Sequence, residues 1–340
     1  MRLIHSAAFL AAAFAVSVTA TPALSDEVNL YSSRQESLIR PILDEFEKDT
    51  GIKVNVVFAK EGTLERLKAE GDNSPADAIL TVDISRLAAH KEAGVLQPIS
   101  SDVLDKNIPE HFRDPDGEWY GLSARSRVIF YAKDRVDPSE LSTYEDLADP
   151  KWKNRICVRS SSNAYNQSLL AAMIVHDGAE AAEKWANGIK DNLARKPQGG
   201  DRDQLKAVAA GECDIAIVNT YYYGGLQNSK DPEEVAVTEK VALFWPNQDG
   251  RGAHVNVSGA GVTKSAKNKD AAIRLIEYLS EDKAQEFYAS TNYEFPVKAD
   301  VELDETVAGW GEFKMDEVSL GKVADAQAEA VKIFDRAGWR

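Results

Sequence analysis

Between Glu27 and Gly94, short apolar runs of strand character alternate with stretches of helical spacing. EVNLY (27–31) alternates apolar and polar residues, and Leu38, Ile42, Leu43 and Phe46 then recur on one helical face before Gly51. IKVNVVFA (52–59) reads as a second strand and Thr63–Glu70 as a short amphipathic helix. ADAILTVD (76–83) reads as a third strand, followed by a helix over Ile84–Ala93 that stops at Gly94. A β-α-β-α-β-α order of this kind predicts an α/β protein opening on a doubly wound parallel sheet, because parallel neighbours need helical crossovers.

The stretch before this unit has a different character. Arg2 supplies a positive charge, Ala7–Ala20 an apolar core, and Ala23-Leu24-Ser25 a small-residue cleavage site. Residues 1–25 therefore read as a secretory signal peptide, too short to serve as a membrane anchor. No cysteine lies near the cut to carry a lipid, and no later stretch is apolar enough to insert in a bilayer. The formal net charge is −15, and losing the leader, whose one charged residue is Arg2, makes it one unit more negative. That balance argues against nucleic acid and against anionic membrane surfaces as partners. Cys157 and Cys213 are the only cysteines, each in a short strand-like run, RICVRS (155–160) and ECDIAIV (212–218). An even count in an exported chain predicts one disulfide between them; two buried thiols are the other arrangement open.

Further along, EWYGLSARSRVIFY (118–131) is a long strand-like run, and a crossing between two lobes is expected near Arg125–Val128. A second α/β unit follows, and VALFWPN (241–247), ending in a proline break, suggests the return crossing. Ala253–Val262 then re-enters the first sheet, and helices over 270–279, 282–289 and 322–336 fill the rest. The expected organisation is a first lobe of 26–125 and 246–340 and a second of 126–245. Two lobes joined by crossing strands close like a hinge on a ligand in the cleft, which suggests an exported solute-binding protein.

The candidate ligand chemistry centres on NTYYYGG (219–225), where a buried strand ends at a run of tyrosines and a glycine pair read as a turn. Strand ends are where open α/β sheets place ligands. A phenol ordinarily ionises near pH 10, so clustered phenols become ligands only beside a strong positive charge. A hard trivalent cation such as ferric iron supplies it better than a divalent ion. The histidines are scattered and no acidic calcium loop is present. RSSSNAYN (159–166) places Tyr165 at a helix start behind a strand, with Ser161 and Asn163 among its capping groups. The same residues also suit amphipathic rim positions, and tyrosines stacking on an organic cation or bonding a small anion form the alternative reading. No Ser/His/Asp arrangement or GxSxG points to an enzyme.

At NLYSSRQ, PADAILTVDISR, VRSSSNAYNQSL and ECDIAIVNTYYYGG the chain resembles the ferric-iron-binding proteins of periplasmic iron ABC transporters. The resemblance implies a two-lobed type II periplasmic-binding-protein fold with two crossing strands. It places Fe3+ on Tyr165, Tyr221 and Tyr222, with Tyr223 as a supporting residue. Many members carry His-Tyr where this chain has Gln35 and Glu36. The subgroup with glutamine there completes the iron shell with carbonate or another small anion, so the first lobe is expected to give no direct ligand in preference to Glu36. Arg125 corresponds to a basic cleft residue of the family, and Gln35 is expected to hydrogen-bond the anion. Arg127 is set aside on the reading that alternating strand faces admit only one of the two arginines. The resemblance further implies a monomer in the periplasm that delivers iron to an inner-membrane ABC permease.

Overall fold

The computed structural model describes residues 27–59 and 61–339; the signal peptide read at 1–25 lies outside the described residues. Among the described residues nine strands form one continuous sheet: β1 (Glu27–Ser32), β2 (Lys53–Phe58), β3 (Ala78–Val82), β4 (Tyr120–Ala132), β5 (Ile156–Cys157), β6 (Ile215–Asn219), β7 (Val241–Phe244), β8 (Val255–Val262) and β9 (Phe295–Pro296). The order is β2-β1-β3-β8-β4-β6-β5, with β7 and β9 added on β4. As the opening pattern predicts, β1 pairs parallel with both β2 and β3, and the helices Arg40–Thr50 and Thr63–Glu70 link them. The sheet is nevertheless mixed, because β8 inserts antiparallel between β3 and β4.

The strand β4 organises the molecule. From Tyr120 to Ser126 it pairs with β8, and from Arg127 to Tyr131 with β6. One thirteen-residue strand therefore belongs to two sheet halves and changes partner between Ser126 and Arg127. Two glycines make the first half possible. A Cβ on Gly259 would stand 2.4 Å from the Tyr120 carbonyl oxygen, and one on Gly261 2.5 Å from that of Glu118. Neither fits, so both positions require a residue without a side chain.

The apolar residues of the first half form one core around Leu30, Phe46, Ile79 and Leu275. Two further cores lie on the second half, one around Ile129, Trp152, Leu170 and Ile217, the other around Phe130, Cys157, Val208 and Val218. Cys157 and Cys213 are bonded, with Cα atoms 5.9 Å apart, and join β5 to the segment entering β6. The C-terminal region departs from the sequence expectation. A single helix over 322–336 is replaced by two, Leu320–Asp325 and Gln327–Ala337. Val323, Ile333, Phe334 and Trp339 are buried in the second-half core, whereas Leu320 belongs to the first. Assigning all of 246–340 to the first lobe therefore overlooks packing that draws these helices across to the second.

Candidate metal centre

Each tyrosine motif stands in the first turn of a helix. Asn163 caps the helix Ala164–Asp177, its side chain accepting from the Tyr165 N–H at 3.1 Å. The helix Thr220–Gln227 starts directly from β6, with Asn219 at its cap. The glycine pair read as a turn is helical instead. At 100° per residue a helix spreads successive side chains around its axis, so Tyr223 can point away from Tyr221 and Tyr222. The rings of Tyr221 and Tyr222 lie 4.3 Å apart between centroids. Tyr223 is buried against Phe130 at 5.0 Å and donates to the Val241 carbonyl at 3.2 Å. Gly224 serves close approach: a Cβ there would meet Tyr293 Cβ at 2.6 Å.

Arg127 brings the two helix starts together. Its Nη2 donates to Asn166 Oδ1 at 2.7 Å, on the Tyr165 helix, and its Nη1 to Asn219 Oδ1 at 2.9 Å, on the Tyr221 helix. Nη1 also meets Asp201 at 3.2 Å, at the start of the helix Asp201–Ala210. Arg125 is equally buried but loosely held, with Ser258 at 3.4 Å and Asp83 at 3.5 Å. Setting Arg127 aside rested on a period error: residues two apart on a strand share a face. Arg125 and Arg127 indeed line one cavity of about 10 Å3 with Tyr165, Asn219, His254 and Asn256.

The electrostatics follow from burial and from these guanidiniums. Tyr165 lies beneath two of them, Arg159 at 5.5 Å and Arg125 at 5.7 Å from its ring centre. Burial raises the Tyr222 phenol to about 12, Tyr165 and Asp201 adding to the rise while a Tyr221 hydrogen bond and Arg159 oppose it. Burial likewise lifts Tyr221 well above the ordinary phenol value, with neighbouring Tyr165 and Tyr222 adding and Arg125 opposing. The three phenols thus stand within electrostatic reach of one another, and Tyr221 and Tyr222 resist ionising without a cation. Helix N-termini carry partial positive charge and favour anions there. His254 is held neutral: burial, then Arg127 and Arg125, push it down to about 3, and its Nδ1 has no protein partner.

The other sequence candidates are placed less centrally. Ser161, expected beside the anion, donates its hydroxyl to the Trp339 carbonyl. Gln35 is exposed at the cap of a 3-10 turn over Glu36–Leu38, and Glu36 is exposed 3.6 Å from Arg40. Their neighbour Arg34 is the buried group on that side, bonded to Glu294 at 2.5 Å and to Ser258 at 2.8 Å, and it senses the charge of Tyr221. Arg159 sits inside a quoted motif and Asp201 outside all of them, and no spacing marks either; only the fold brings Asp201 against Arg127 and Arg159, and Arg159 over Tyr165. Among the described residues no group of three or more His, Cys, Asp or Glu is gathered to hold a metal, and no helix is long and apolar enough to cross a membrane.

Residues 73–315 match the family of bacterial extracellular solute-binding proteins. The chain belongs to that family. It is 52% identical over 321 residues to iron uptake protein A1 of Synechocystis sp., covering 94% of this chain and 89% of that one. A Trichodesmium protein solved in complex with iron and citrate superposes with a TM-score of 0.90 at 49% identity, over 92% of this chain and 100% of that one. The ferric binding protein of Campylobacter jejuni gives 0.87 at 45% identity, over 92% and 100%. The architecture is thus the type II fold of periplasmic binding proteins, with β4 running through both sheet halves.

Proposed function

We propose that this solute-binding protein captures ferric iron on the phenolates of Tyr165, Tyr221 and Tyr222, with a small anion such as carbonate beside Arg125. The observation that carries this reading is that three phenols from two helix N-termini stand within electrostatic reach of one another, with Arg125 and Arg159 over the Tyr165 ring. Three phenolates neutralise a trivalent ion, an added anion brings surplus negative charge, and the loosely held Arg125 offsets it. An organic cation of single charge gains little here, because it cannot draw protons from the raised phenols of Tyr221 and Tyr222 and meets buried guanidiniums. The relatives named for iron uptake and ferric binding support the same cargo.

The chain acts as a carrier rather than an enzyme, and hands its iron from the periplasm to an inner-membrane ABC permease as a monomer. Asn163 and Tyr223 support the site by capping one helix and anchoring the other. On the first-half side the buried Arg34 stands within electrostatic reach of Tyr221, and its neighbours Gln35 and Glu36 are exposed. An optical titration with ferric iron, in bicarbonate and in bicarbonate-free buffer, tests this. A visible tyrosinate-to-iron band is expected, strongly shifted or lost in Tyr165→Phe and Tyr221→Phe. A colourless iron complex would overturn the reading.

A further inference from the structure

Asp83 ends β3 and caps the helix Ile84–Glu92, yet its setting exceeds what a cap needs. Its backbone lies in the left-handed region, at φ 82°, and its side chain is fully buried. Oδ1 performs the capping, accepting from the Ser85 N–H at 3.0 Å and the Ser85 hydroxyl at 2.7 Å. Oδ2 accepts from Asn256 Nδ2 at 3.1 Å, on β8, and faces Arg125 Nη2 at 3.5 Å, on β4. From across the junction, the Ser168 hydroxyl reaches both oxygens, at 3.2 and 3.4 Å. Ser168 is fully buried and stands three residues after Tyr165 on the same helix, so the two side chains share a face.

One carboxylate therefore gathers donors from the first-half sheet, from the strand joining the halves, and from the helix that presents Tyr165. We propose that Asp83 is a positioning residue for the iron site, fixing the Tyr165 helix against the first lobe through Ser168 and steering the Arg125 guanidinium over the Tyr165 ring. This rests on the ferric-iron reading. A carboxylate suits this geometry, because its two oxygens offer lone pairs to Ser85, Ser168 and Asn256 while facing a guanidinium. The long Arg125 contact leaves that side chain free to serve a second negative group.

Asp83→Asn and Ser168→Ala separate the two roles. Asparagine keeps the cap and tolerates the left-handed backbone, so the fold survives while the charge facing Arg125 is lost. Ser168→Ala removes the single donor from the second lobe. Loss of one hydrogen bond to a charged group predicts iron release to a competing chelator about tenfold faster in either variant. The tyrosinate-to-iron band should shift in both, and Ser168→Thr, which restores the hydroxyl, should recover both readouts. Wild-type release rate and band in Asp83→Asn and Ser168→Ala would overturn the assignment, as would a drop in melting temperature with both readouts unchanged. A wild-type protein without the band would overturn the iron reading, and this assignment with it.

Discussion

Iron loading should expel protons in a number set by the phenols. Tyr222 holds its proton up to about 12. At about pH 7 the solution lies roughly five units below that value, and at about 1.4 kcal/mol per unit its ionisation costs on the order of 7 kcal/mol. Tyr221 is raised in the same direction. Only a cation bound strongly to all three oxygens offsets such costs, which favours a trivalent over a divalent ion. If Tyr165, Tyr221 and Tyr222 all ionise, about three protons leave per iron, and the logarithm of the affinity falls by about three per unit drop in pH. Tyr222→Phe should lower both figures to about two. A pH-stat titration with a ferric chelate of known protonation measures the release, and competition at several pH values measures the slope. One proton or fewer per iron, or an unchanged slope in Tyr222→Phe, would refute phenolate ligation by this set.

Other outcomes follow from the packing around the site. Arg127→Met strands Asn166 and Asn219 and leaves Asp201 to Arg159 alone, at 3.3 Å. Breaking a buried pair costs about 3–5 kcal/mol, an upper range because Arg159 remains; calorimetry should show the lower melting temperature, and an unchanged one would dismiss Arg127 as the organiser. Gly224→Ala forces a methyl group onto Tyr293, and urea denaturation should register a loss of about 1–3 kcal/mol. Replacing Cys157 and Cys213 by serine removes a link spanning 56 residues, with about 4 kcal/mol expected from chain entropy, read from the denaturation midpoint. For the iron-free protein, a folded Tyr222 value raised above the unfolded one near 10 gives stability that is complete below about pH 10 and lost as pH rises through about 12. Alkaline melting curves should show that loss, and Tyr222→Phe should flatten it.

The parts of the fold that follow from local pattern were legible in the sequence. The alternation from Glu27 to Gly94 carries the three parallel strands, because apolar periodicity is a local property. Gly259 and Gly261 fall inside the strand-like run Ala253–Val262, where a glycine marks close backbone approach, and both meet neighbouring carbonyls. Motifs rather than periodicity single out Tyr165, Tyr221 and Tyr222, whose phenols stand within electrostatic reach of one another. Contacts between distant segments stayed hidden. Arg127 joins Asn166, Asp201 and Asn219, none of them close in sequence, and a misapplied strand period obscured it further. Gly224 and Gly225 look like a turn because glycine disfavours helix interiors, yet packing against Tyr293 overrides that preference. Asp83 looks like an ordinary cap, and its wider role depends on Ser168, eighty-five positions away.

The change of partner along β4 has a mechanical consequence. Between Ser126 and Arg127 the ladder passes from β8 to β6 with no intervening loop to absorb rotation. A swing of one sheet half against the other must therefore twist this single peptide step, and displacement grows with distance from it. Arg125 and Arg127 flank the step and travel least, so the floor of the cleft keeps its shape through the swing. Tyr293, packed on the first-half core and against Gly224 of the tyrosine-bearing helix, lies where such a swing makes or breaks a contact between the halves.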